Sequence, residues 1–136
     1  MTPMELVNLA IEAREHSYCP YSNFAVGAAL LTKAGKVYQG CNIENAAFTP
    51  TNCAERTAFF TAVYQGEREF EAIAVVGGKA GEPVSELCAP CGVCRQVIRE
   101  FCKDDFKIYL SKGDGSYSEK SLTNLLPLSF SQSDLA

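Results

Sequence analysis

The chain has 136 residues, 47% of them hydrophobic and 21% charged, which fits a single globular domain spanning 1–136 with a core large enough to need no disulfide staples. Sixteen acidic residues against twelve basic ones give a net charge of −4 with no Lys/Arg cluster, so the phosphate-neutralising surface that nucleic acid requires is missing. His16 is the only histidine, which excludes any mechanism built on a histidine pair, and no Ser-His-Asp triad is expected.

The opening MTPMELVNLAIEARE carries acidic and polar groups throughout, unlike the basic start and apolar stretch of a secretory signal. No run approaches the roughly 18 apolar residues that span a bilayer, so a cytoplasmic protein without membrane contact is expected. Thr2, Pro3 and Glu5 predict a capping-box helix start, and Met4, Val7, Ala10 and Ile11 recur at helical spacing for about three turns. Pro20 and Asn23 break that pattern. Phe24–Thr32 and Val37–Asn42 read as the strands of a hairpin turning at Lys33–Lys36, and Asn45–Asn52 as a loop. Cys53–Gln65 returns to helical spacing through Ala54, Ala58, Phe59 and Ala62 until Gly66 stops it.

Phe70–Val76 predicts a buried strand, and residues 77–86 a mobile connection. Cys91–Phe101 predicts a helix with Val93, Val97, Ile98 and Phe101 inward, and Lys107–Leu110 a short strand. After the Gly113-Asp114-Gly115 turn come a strand at Ser116–Glu119, a short helix at Leu122–Leu126 and a polar tail. This order implies an α/β fold in which helices cover the sheet, with right-handed parallel strand–helix–strand links. There is no internal repeat.

Seven cysteines without an export signal point to metal or redox chemistry rather than a disulfide framework. Two blocks stand out, Cys53-Ala54-Glu55 and Pro90-Cys91-Gly92-Val93-Cys94, each opening a predicted helix. Cys91 and Cys94 share one side of a helical turn, and with Cys53 they offer three thiolates to one zinc ion, leaving the fourth tetrahedral position for water, as in a catalytic site. Zinc brings the pKa of such a water towards about 7. Helix N-termini favour thiolate over thiol and offset the negative charge of the sulfurs, and Arg56 is placed to donate to them from behind. Glu55, two residues beyond Cys53, is the candidate general acid and base.

CAE followed by PCGVC resembles the zinc-deaminase pattern, and the chain is similar to the cytidine deaminases, in their small three-cysteine branch. The similarity runs from the N-terminal helix to LLPLSF. It implies a three-layer helix–sheet–helix fold with a mixed five-stranded sheet, one Zn2+ per chain, and hydrolytic deamination of cytidine and deoxycytidine in pyrimidine salvage. In CNIENAA, similar to the family's NxENA segment, it implies that Asn42 and Glu44 bind the ribose; Ala54 is a further expected substrate contact. Phe24 resembles the aromatic that stacks on the pyrimidine. Phe130 matches a phenylalanine that completes a neighbouring subunit's site in a homotetramer.

Other readings stay open at this level. A deaminase of another aminopyrimidine nucleoside, such as the blasticidin type, shares both zinc blocks. A structural zinc module would need a fourth protein ligand, and a Cys91/Cys94 dithiol would have to cycle without tightly held metal. Cys88, Cys91 and Cys94 open a ferredoxin-like run that fails at Ile98, leaving Cys88 a spectator. Cys19, Cys41 and Cys102 read as core or surface thiols, and His16 as a solvated or helix-terminal side chain. Phe24 alone reads as core, Arg56 as a surface ion-pair residue, and Asn42 and Glu44 as solvated hairpin residues.

Overall fold

The Thr2 hydroxyl accepts the Glu5 N–H and the Glu5 carboxylate reaches back to Thr2, so the expected capping box starts α1 (Pro3–Arg14) in the computed structural model, which describes residues 1–136. The hairpin forms as β1 (Phe24–Thr32) and β2 (Val37–Cys41), followed by α2 (Ala54–Tyr64), β3 (Phe70–Lys79), α3 (Gly92–Phe101), β4 (Lys107–Leu110), β5 (Ser118–Ser121) and α4 (Leu122–Leu125). The five strands make one mixed sheet in the order β2-β1-β3-β4-β5. β3 and β4 are the parallel neighbours, because α3 carries the chain back to the end where β3 began; the other pairs are antiparallel. The α2 link joins β2 and β3, which run the same way with β1 between them.

Alternation along the strands divides the core into two layers. Ala29, Ala72, Ala74 and Val76 face α1 through Leu6, Val7 and Ala10, whereas Ala28, Leu30, Ile73 and Val75 face Ala58, Phe59 and Ala62 of α2 and Ile98 of α3. The helix–sheet–helix sandwich is thus the one expected. Phe59 stacks on Phe101 at 5.9 Å between centroids and meets Phe70 edge-on at 5.1 Å, which ties α2 to α3. Gly40 lets α2 close onto β2: a Cβ there would stand 2.4 Å from the Ala54 carbonyl oxygen and 2.6 Å from the Ala58 nitrogen. The N-termini of α2 and α3 consequently meet over the same face of the sheet.

Two strands and one side chain depart from the sequence expectation by more than a one-residue shift of a boundary. β3 runs on to Lys79, because Gly77 and Gly78 pair with Val26 and Ala25 and Gly77 also bridges Glu86, so the start of the supposed mobile connection is sheet. β5 begins two residues late because Ser111 donates to the Ser116 carbonyl and Asp114 accepts from the Ser116 N–H, which holds 111–116 in a turn. Val93 is 58% exposed rather than inward, since Cys94 and Ile98, four apart, take the buried stripe of α3. No helix is long and apolar enough to cross a membrane.

Candidate active site

Cys53 and Cys91 are the N-cap residues of α2 and α3, both in extended conformation and neither using its sulfur to cap the helix. Each sulfur is therefore left free beside a ring of unpaired helix N–H groups, the polarity that suits a thiolate. Cys94, one turn into α3, is fully buried, while Cys91 lies at the exposed rim. The three sulfurs lie within 4.8 Å of one another. Cys53 Sγ and Cys91 Sγ stand 3.8 Å apart, and thiolates bound at about 2.3 Å in a tetrahedron are separated by about 3.8 Å, so the spacing already suits one zinc ion.

The electrostatics of the cluster agree with that fit. A hydrogen bond from Cys94, with help from Arg56, brings the Cys53 thiol down to about 5. The same pair holds Cys94 well above the ordinary thiol range, because its ionisation would set a second anion beside the Cys53 thiolate, with Glu55 adding to the repulsion. Three sulfurs this close shed their protons together only if a cation joins them. Arg56 Nη2 donates to Cys53 Sγ at 3.2 Å, and although burial alone would lower its pKa, the bonds to Cys53 and Cys94 outweigh this and raise it. Its Nε is buried with no partner, so this cation is spent on sulfur rather than on a carboxylate.

Glu55, in the first turn of α2, is only 4% exposed, and burial pushes its carboxyl up to about 7. A carboxyl half-protonated near neutrality can both take and return a proton. Ala54 is fully buried between Cys53 and Glu55 and offers no surface.

Asn42 and Glu44 are buried, not solvated, and they organise the lead into β1. The Asn42 amide accepts from the Val26 N–H at 2.9 Å and donates to the Phe24 carbonyl at 2.8 Å. The Glu44 carboxylate accepts the N–H groups of Tyr21 and Ser22, each at 3.0 Å, and the Ser22 hydroxyl, contacts that hold it below the usual carboxylate range. Ser22 Oγ in turn accepts the Phe24 N–H at 3.0 Å. The Phe24 backbone is thus pinned on one side by Asn42 and on the other through Ser22 to Glu44. Ser22 was not singled out in the sequence; the cue was a hydroxyl two residues before an exposed aromatic, the spacing of a serine turn.

Phe24 is 43% exposed, on the α2/α3 face of the sheet, and is not core. Gln96 Nε2 donates to the Phe130 carbonyl at 2.9 Å, which ties the tail to α3, and Phe130 is exposed. Cys88 lies outside the three-sulfur group, and burial raises its thiol to about 11. Cys102 is buried with a thiol raised to about 12, and Cys19 and Cys41 are half-buried.

A three-layer α/β domain with three cysteines converging on one metal position and a buried glutamate beside them defines a zinc-dependent deaminase. The family described as "Cytidine and deoxycytidylate deaminase zinc-binding region" matches residues 2–110, and the chain belongs to it. The chain is 52% identical to a cytidine deaminase of Sporosarcina psychrophila over 97% of this chain and 93% of that protein. The crystal structure of a cytidine deaminase from Burkholderia pseudomallei, 49% identical, superposes with a TM-score of 0.87 over 96% of this chain and 100% of that one. A blasticidin-S deaminase of Bacillus cereus is more distant, 30% identical over 95% of this chain and 92% of that protein.

Proposed function

We propose that the chain catalyses hydrolytic deamination of cytidine and deoxycytidine to uridine and deoxyuridine with release of ammonia, a step of pyrimidine salvage. The placement of Glu55, one residue into α2 beside a thiol cluster spaced for a single zinc ion, carries this reading. Cys53, Cys91 and Cys94 hold the ion, one per chain. When bound, zinc supplies Lewis-acid activation of a water at neutral pH.

Glu55 accepts one proton of water as its oxygen adds to C4 of the pyrimidine and passes it to the adjacent ring nitrogen; it then takes the remaining proton from the C4 hydroxyl and delivers it to the amine, so that the C–N bond breaks, ammonia leaves and a C4 carbonyl remains. Its burial suits both directions of transfer. Arg56 offsets the charge of the sulfurs, which would otherwise weaken the ion as an electrophile. Phe24 stacks on the base. Asn42 retains a second amide hydrogen and Glu44 unused lone pairs, so both can still bind a ribose hydroxyl while bracing β1.

Phe130 completes a neighbouring subunit's site in a homotetramer. Its own side chain is 58% exposed, and Phe60 and Tyr64, one turn apart on α2, are exposed as well, which leaves apolar surface for association. The enzyme works in the cytoplasm, where reduced thiols persist, on free nucleosides rather than on nucleic acid.

The test is conversion of cytidine to uridine with and without a chelator, by the parent protein and by Glu55→Gln. Turnover is expected to vanish on metal removal, to return with zinc, and to fall about 10²- to 10⁴-fold in the variant. Undiminished turnover by Glu55→Gln would overturn the proton-transfer role. Because the Bacillus cereus relative shares the fold's sequence pattern, kcat/KM for blasticidin S measured beside cytidine separates the second reading, and the higher identity to cytidine deaminases favours cytidine.

A further inference from the structure

Phe24 projects from the first position of β1, where the chain has just left the left-handed conformation of Asn23, and its backbone is pinned through Asn42 and Ser22. Backbone pinning does not fix a phenyl ring. What stands behind the ring does. Phe24 and Val26 point to the same face of the sheet, and the residue paired with Val26 on β3 is Gly77. A Cβ built on Gly77 would lie 3.2 Å from Phe24 Cε2, 2.7 Å from Cys88 Sγ and 3.0 Å from Cys88 Cβ. The missing side chain is therefore the space into which the ring edge and the thiol both settle. Cys88 is brought there by the bridge between Glu86 and Gly77, which lays the segment before α3 across the end of β3. Its thiol also lies within electrostatic reach of Glu55, Cys53 and Cys91, so this wall adjoins the reacting groups.

We propose that Gly77 and Cys88 are positioning residues that seat the Phe24 ring and so set the depth of the slot that receives the pyrimidine. Neither touches the base. Gly77 supplies room and Cys88 a soft, close-fitting backstop, a role that explains a cysteine beside the metal ligands that belongs to no ligand set. The inference rests on the stacking role given to Phe24. Because stacking holds the base alike in the ground state and the transition state, errors in ring position register in KM rather than in kcat.

The experiment is steady-state kinetics on cytidine, with zinc content measured in parallel, for Phe24→Ala, Gly77→Ala, Cys88→Ala and the two double variants that combine the latter with Phe24→Ala. Phe24→Ala is expected to raise KM about tenfold. Gly77→Ala, which pushes the ring forward, and Cys88→Ala, which lets it sink, are each expected to raise KM about threefold or more with kcat within about twofold and one zinc retained per chain. In the Phe24→Ala background both substitutions lose their effect on KM, since no ring remains to be misplaced. The proposal is overturned if the single variants keep the parent KM, or if their effect persists undiminished without the ring. Should Gly77→Ala fail to fold, Cys88→Ala and its double variant decide by the same two readouts. A parent-like KM for Phe24→Ala itself would strike the stacking assignment instead, an outcome distinct from failure of the seat.

Discussion

Glu55, the proposed proton carrier, illustrates how a side chain placed for reaction can oppose stability. Its carboxyl is raised in the folded state because burial disfavours the anion, so its favourable contribution is complete below the ordinary value of 4.5 and is lost as pH rises through about 7. Over that window the cost reaches about 3 kcal/mol in the metal-free protein. Chelator-treated Glu55→Gln is therefore expected to melt several degrees above the chelator-treated parent at pH 8, with the difference shrinking towards pH 5, as followed by thermal denaturation. Equal melting temperatures at pH 8 would show that the carboxyl is not held in a desolvated state. Arg56 carries the opposite expectation. Arg56→Gln keeps a polar, uncharged side chain but removes the cation at Cys53, and zinc affinity, read by competition with a chromogenic chelator, should fall about 10- to 100-fold.

The elements matter chiefly through the places where they touch backbone to backbone. At Gly40, a methyl group would meet the first two turns of α2 at the Ala54 carbonyl and the Ala58 nitrogen, neither of which can swing away. Gly40→Ala is expected to cost at least about 2 kcal/mol and to loosen zinc as well, because lifting α2 carries Cys53 away from Cys91. Melting temperature and metal content should drop together. Asn42 tests the contact between the end of β2 and the start of β1 in a similar way. Removing its amide orphans the Val26 N–H and the Phe24 carbonyl, so Asn42→Ala should lower stability by about 2 kcal/mol while raising KM for cytidine. A residue engaged only with ribose would change KM alone. That Asn42 and Glu44 have structural partners was not legible from CNIENAA, since the partners lie 16 to 23 positions away across the hairpin and the 18–23 turn.

At the scale of the whole molecule, the monomer leaves Phe60, Tyr64, Val93 and Phe130 exposed around α2, α3 and the tail. If sites are shared between subunits, two different lesions can complement. Phe130→Ala retains its own Glu55, and Glu55→Gln retains a tail able to serve a neighbour. Subunits of the two variants, dissociated, mixed and reassembled, should regain activity well above that of either variant alone, whereas sites closed within each chain would yield no gain. The expected parent assembly is a tetramer by analytical ultracentrifugation.

Much of this protein could be read along the chain because the chemistry is local there. The capping box, the strand alternation and the two cysteine blocks at helix starts depend on residues within a few positions of one another, and these determined the layers of the fold, the metal and the proposed proton carrier. Other features required the tertiary structure, because they arise where distant segments meet. The 3.8 Å approach of two sulfurs 38 positions apart depends on Gly40 and the Phe59–Phe101 stack. The extension of β3 through Gly77, the exposure of Val93 and the approach of both Phe24 and Cys88 to Gly77 are likewise outcomes of packing, and no spacing rule along a single segment encodes which side chain its neighbour across the sheet will lack.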